Sequence, residues 1–101
     1  MRAPTEPELD LLRQLFAQAQ LKSEVSSLVV CSMNDGEMGS LAIGLDHGSR
    51  EFGSCVAELE LKDTDGIQFI ASLYLDKSGA PYELDIFKAD FSKTRVLGVN
   101  S

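Results

Sequence analysis

The chain has 101 residues, 44% of them hydrophobic, with 9 Lys and Arg against 16 Asp and Glu for a formal net charge of -7. A chain of this length buries roughly 60 to 70% of the surface its unfolded form exposes, so one core is feasible without disulfide or metal staples. The composition is that of a globular protein rather than a linker, and the negative field repels phosphate backbones, which argues against nucleic acid as a partner.

Met1-Arg2 runs directly into Ala3-Pro4-Thr5-Glu6 without an apolar region of signal-peptide length, and no later stretch approaches the ~18 apolar residues of a membrane span. The expectation is a cytoplasmic protein with no membrane association. Thr5-Glu6-Pro7-Glu8 reads as a helix start, with Thr5 as N-cap, Glu8 closing a capping box and Pro7 tolerated in the first turn. The spacing predicts a helix over 6–20, whose stripe of Leu9, Leu12, Leu15, Phe16 and Ala19 must be buried against a sheet or another helix.

From Ser26 the hydrophobic period changes to two, punctuated by turn chemistry at Asn34-Asp35-Gly36, Asp46-His47-Gly48, Asp63-Thr64-Asp65-Gly66 and Asp76-Lys77-Ser78-Gly79. Four turns imply five strands: Ser27 to Met33, Ser40 to Leu45, Ser54 to Lys62, Ile67 to Leu75 and Tyr82 to Phe87. In the third, Cys55, Ala57, Leu59 and Leu61 alternate with Val56, Glu58, Glu60 and Lys62, as in a strand with one wet face. The fourth carries Ile67, Phe69, Ala71, Leu73 and Leu75 on one side and Ile70 and Tyr74 on the other, which marks it as the central strand. Tight loops favour antiparallel hairpins. The expected architecture is α+β, an N-terminal amphipathic helix packed on a five-stranded antiparallel meander, in one domain spanning 1–101 with its sheet over 27–87. A C-terminal tail, 93–101, carries Val96, Leu97 and Val99 and is expected to add an edge strand, dock loosely or stay mobile.

The inventory for catalysis is thin. Cys31 and Cys55, 24 residues apart, form neither a zinc pattern nor a C-x-x-C pair and are expected as buried free thiols. His47, the single histidine, sits in a turn and reads as a solvated loop residue, so neither cysteine gains a base for nucleophilic catalysis. Asp46, His47 and Glu51 match no zinc spacing, and Asp63-Thr64-Asp65-Gly66 resembles the start of a calcium loop without its later ligands, so it is read as a hairpin turn. No metal and no cofactor are expected, and the glycine-rich nucleotide fingerprints are missing.

In YELDIFKADF, residues 82–91, Tyr82, Leu84 and Ile86 alternate with Glu83, Asp85 and Phe87, and the alternation is expected to break at Lys88. Glu83 and Asp85 project from one face, as a catalytic carboxylate pair would, but a half-buried strand explains the pattern. They are expected to pair with Arg50, Lys62 or Lys88, or to dock on a basic partner. Between Cys55 and Asp85 the acids Glu58, Glu60, Asp63, Asp65, Asp76, Glu83 and Asp85 outnumber the bases Lys62 and Lys77. An outward Phe87 beside two carboxylates has no obvious place on a wet face.

The stretches MNDGEMGSL at 33–41 and SLYLDKSGAPYELDIFKADFS at 72–92 resemble the signature segments of a small uncharacterised bacterial family, a domain of unknown function of about 100 residues. The resemblance extends to the Met-Arg-x-x-Thr-Glu start and covers most of 1–92, while Phe87 stands where the family pattern has a tryptophan and the tail differs. It implies no activity and no site residue. Small acidic proteins of this size are similar to immunity proteins, which neutralise a partner by charge and shape complementarity. The expected function is therefore a non-catalytic module that binds a protein, with a basic one suiting its charge, or associates with itself, through Glu58, Glu60, Glu83, Asp85 and Phe87. The alternative is a small-ligand binder or enzyme, with a pocket between helix and sheet near Tyr74 and Tyr82 that uses Glu83 and Asp85.

Overall fold

A computed structural model describes residues 1–97. It contains helix α1 (Glu6–Gln18), 3-10 turns at Val25–Ser27 and His47–Ser49, and strands β1 (Val30–Ser32), β2 (Leu41–Ile43), β3 (Phe52–Lys62), β4 (Gln68–Asp76) and β5 (Pro81–Lys88). Among the described residues no helix is long and apolar enough to cross a membrane.

The capping box forms as expected: the Glu8 N-H donates to Thr5 Oγ1 and the Thr5 N-H to Glu8 Oε1. Glu8 is nonetheless completely buried, and the Arg2 guanidinium grips its two carboxylate oxygens at 2.7 and 3.0 Å. Burial pushes the Glu8 carboxyl up, but the bonds from Arg2 and Thr5 outweigh it and hold the carboxyl below its ordinary range. The helix stops two residues short of Gln20, which instead turns left-handed at φ 59°, while the Gln20 and Leu21 N-H groups donate to the Ala17 and Phe16 carbonyls. This is a Schellman ending with glutamine in the place glycine usually takes.

The fold class is as expected, one helix on a five-stranded antiparallel sheet, but the strand order is β1-β2-β5-β4-β3. The strands therefore do not follow one another as a meander, and β5 rather than β4 is central. From β2 the chain crosses the start of β5 and the end of β4 before entering β3 on the far edge. Arg50 pins this crossing by donating to the Ile43 and Pro81 carbonyls and to Asp76 Oδ2. The Asp76 carboxyl is held well below the usual range by Ser78, Ala80 and Arg50, and Tyr82 lies beneath the crossing with its hydroxyl donating to the Arg50 carbonyl. Ser40 joins the two halves, since its Oγ accepts the Ile86 N-H at 2.8 Å and supplies a rung that the short β2 does not.

α1 covers one sheet face. Its Leu9, Leu12, Leu15 and Phe16, together with Leu11, pack on rows such as Leu41, Leu84, Leu73 and Ala57, which the registers align across four strands. A β-bulge between Cys55 and Ala57 corrects the expected facing of β3: Val56 turns toward the core, and Cys55 is exposed opposite Tyr74 on the other face. Cys31 is exposed as well, on the short edge strand β1, so neither thiol is the buried one expected from its apolar neighbours.

The alternation of β5 does not break at Lys88. Lys88 continues the inward series and is fully buried, with Nζ 2.7 Å from Asp63 Oδ2, 2.6 Å from Asp65 Oδ2 and 2.9 Å from the Lys93 carbonyl. Asp63, equally buried, also accepts the N-H groups of Thr64, Arg95 and Val96. Burial pushes the Asp63 carboxyl up, and these partners overcome it and hold it at about 2. Burial pushes Lys88 down, and Asp63 and Asp65 raise it above its ordinary value. The clasp docks the tail: Thr94 and Leu97 are buried, and Leu97 joins the core cluster. Val99, the remaining apolar residue of the tail, lies outside the described residues.

Candidate functional site

On the face away from α1 the registers place side chains in rows. Cys31, Ala42, Glu83, Tyr74 and Cys55 form one row across all five strands. Asp85, Ser72 and Glu58 form the next, and Phe87, Ile70 and Glu60 the third. The five residues singled out in the sequence, Glu58, Glu60, Glu83, Asp85 and Phe87, thus share one surface, although they come from two strands separated by β4. Period-two alternation on strands of one sheet is what brings them together.

Polar side chains on the face tether part of the charge. The Ser72 hydroxyl donates to Glu58 Oε2 at 3.2 Å, and the Ser40 hydroxyl lies 3.3 Å from Asp85 Oδ1. His47, expected as a solvated loop residue, has Nε2 2.9 Å from Glu83 Oε2, and its ring stacks on Tyr82 with centroids 4.3 Å apart. Burial raises the Tyr74 hydroxyl above its ordinary value, and the nearby Asp85 and Cys55 push it the same way.

Two aromatic pairs stand at opposite ends of this acidic surface. Phe52 and Tyr74 meet at 5.1 Å near the start of β3, and Phe87 and Phe91 meet edge to face at 5.2 Å near the end of β5. Phe52, Phe87 and Phe91 are 52, 46 and 65% exposed, too open to be core and too close to the carboxylates to be incidental. Phe91 adopts a left-handed backbone at φ 62°, a conformation that costs a bulky residue about 1 kcal/mol or more. It brings the ring onto Phe87. What covers Phe87 is therefore a second exposed phenylalanine rather than the protein's own core.

Of the surface carboxylates, Glu60 borders a small hollow beside Phe87. Hollows of about 180, 90, 230 and 300 Å³ lie beside α1, beside Phe87, at the β4-β5 turn and under the segment after α1, and neither Glu83 nor Asp85 borders any of them. Asp63 and Asp65, which begin like a calcium loop, are occupied by the Lys88 ammonium. Sequence reasoning missed Lys88 and the partnership of His47 with Tyr82 and Glu83. Parity along β5 pointed to Lys88 as inward, while nothing in the sequence places His47 beside β5.

A family model described as Domain of unknown function (DUF6984) matches residues 1–97, and the chain belongs to that family. No curated protein and no solved structure matches the chain.

Proposed function

We propose that the protein is a non-catalytic binding module whose outer sheet face receives a basic protein partner. The observation that carries this reading is the shared surface of Glu58, Glu60, Glu83 and Asp85, flanked by Phe52 with Tyr74 and Phe87 with Phe91, on a face that α1 leaves open. Exposed aromatics supply anchors, and surrounding carboxylates supply steering and discrimination. Among the described strand residues that alternate with these acids on the outer face, one is a lysine, Lys62, at the far end of β3 opposite Gln68. Two copies packed face to face would set carboxylates against carboxylates, so the charge favours a partner rich in arginine or lysine over self-association through this face. The reading gives the protein the logic of an immunity protein, an acidic surface that neutralises a basic partner.

The test is capture from the native host at low and high salt, followed by affinity measurements with the purified partner. Phe87→Ala should weaken binding by about 10-fold or more, as removal of a buried aromatic anchor does. Glu58→Lys with Glu60→Lys should slow association at low salt and leave little difference at high salt. A partner that binds both variants as well as the unaltered chain would sink the proposal, as would a partner with an acidic contact surface.

A further inference from the structure

β3 is an edge strand of 11 residues, long enough to accept another strand. The Asp63 N-H donates to the Ile67 carbonyl across the hairpin, which places residues 59, 61 and 63 on the hydrogen-bonded rungs with β4. Glu58, Glu60 and Lys62 therefore turn their N-H and C=O groups to the free edge. At Glu58 both groups are taken by one side chain, with the N-H donating to Gln18 Oε1 at 2.7 Å and the carbonyl accepting from Gln18 Nε2 at 3.1 Å. The glutamine amide occupies the position of a neighbouring strand's peptide. Among the described residues, the edge-facing backbone groups of Glu60 and Lys62 have no such partner.

We propose that β3 is a self-pairing edge held closed by Gln18. The occupant it fits is a second copy of the chain, added antiparallel with Glu60 of one copy opposite Lys62 of the other. Charge selects this register, because pairing about Leu61 sets two glutamate-lysine pairs on the outer face. A shift that set Glu58 or Glu60 against itself would oppose like charges. The two Leu61 side chains meet on the inner face, beside the hollow lined by Leu11, Phe69 and Leu97. In the same register the second copy's hairpin turn, which follows Lys62 and opens at Thr64, arrives beside Glu58, where the Gln18 amide stands. Strand addition and the Gln18-Glu58 bonds therefore exclude one another. The contact is side by side along the sheet and engages Glu60 alone among the acids of the outer face, so the oligomeric state tests it separately from partner binding at Phe87, Glu83 and Asp85.

Sedimentation equilibrium of the full chain tests the proposal. Gln18→Ala should raise the self-association constant by roughly 10-fold or more, since two hydrogen bonds that compete with the second strand are gone. In that background E60K should abolish association, and the double swap E60K/K62E should restore it by exchanging the charges. A folded Gln18→Ala chain that associates no more than the unaltered protein overturns the proposal, and association indifferent to E60K overturns the register. Amide exchange on the unaltered chain gives a second readout should Gln18→Ala fail to fold. The Glu58 amide should exchange slowly at every concentration and those of Glu60 and Lys62 quickly, slowing as concentration rises. Equal exchange at all three sites would overturn the guarding role.

Discussion

The acidic residues between Cys55 and Asp85 divide into two populations that composition does not distinguish. Asp63, Asp65 and Asp76 are held by Lys88, Arg50 and backbone N-H groups, and they fasten the two hairpin turns, the β2-β3 crossing and the tail. Glu58, Glu60, Glu83 and Asp85 stand on the open face, where Glu58 and Asp85 meet serine hydroxyls, Glu83 meets a histidine, and Glu60 bonds to nothing among the described residues. Parity and position decide which fate each acid meets. The acids in the turns are reached by cations within the fold, whereas the acids along the strands alternate outward, and among the described residues none of them forms an ion pair with an arginine or lysine. The first population is structural, and the second is the one on which the proposed partner binding rests.

The largest expected effect breaks the first population. Asp63→Ala leaves Lys88 with one carboxylate and strips the Arg95 and Val96 N-H groups of their acceptor, so it should cost about 3 to 5 kcal/mol, as removing one member of a buried pair does. Urea unfolding measures this, and a loss under about 1 kcal/mol would mean that the clasp is not what holds the tail. The pH dependence carries the same signature. With Asp63 depressed to about 2, its contribution is present above the ordinary carboxylate range near 4 and is lost as pH falls toward 2. Lys88 is raised, so its contribution is complete below the ordinary lysine value and lost only as pH rises past the elevated one. Acid unfolding that is steep between roughly pH 4 and 2, and shallower in Asp63→Asn, is the expected result.

The helix and the shared face were legible because local rules decide them. Thr5 and Glu8 announce the cap, and strict alternation from Glu83 to Phe87 fixes which side each residue takes whatever the neighbouring strand. Strand order was not legible, because the hairpin turns specify β3-β4-β5 but leave open which edge β2 joins. That choice rests on Ser40 meeting Ile86 and on Arg50 spanning Ile43, Pro81 and Asp76, all contacts remote in sequence. The bulge at Val56 has no turn residue to mark it, and it reverses Cys55. Lys88 shows the opposite failure: its parity was plain, but charge argued against burial until Asp63 and Asp65 are seen waiting across the sheet.

A smaller effect sharpens the second population. Phe87→Ala removes a half-exposed ring from its edge-to-face contact with Phe91, worth about 1 kcal/mol of stability, while the core beneath is untouched. The Phe91 backbone should lose its reason for turning left-handed. Chemical-shift changes confined to residues around Phe91 would show this, and a global loss of stability above about 3 kcal/mol would place Phe87 in the core instead.

The smallest effect differs in sign from the first. Glu60→Gln removes a solvated carboxylate that lies two residues from Glu58 on the same strand face and bonds to nothing within the fold among the described residues. Stability should change by no more than about 0.5 kcal/mol, and at low ionic strength the change should be favourable, since repulsion within the acidic face is relieved. Salt should erase the gain, because exposed charges separated by several ångströms are screened once the Debye length falls to about 3 Å near 1 M. Asp63→Asn should be destabilising at any salt, because its partners are buried and screening does not reach them. If Glu60→Gln is instead destabilising by more than about 1 kcal/mol at both salt extremes, the carboxylate has a partner in the fold and the division between the two populations fails at that residue.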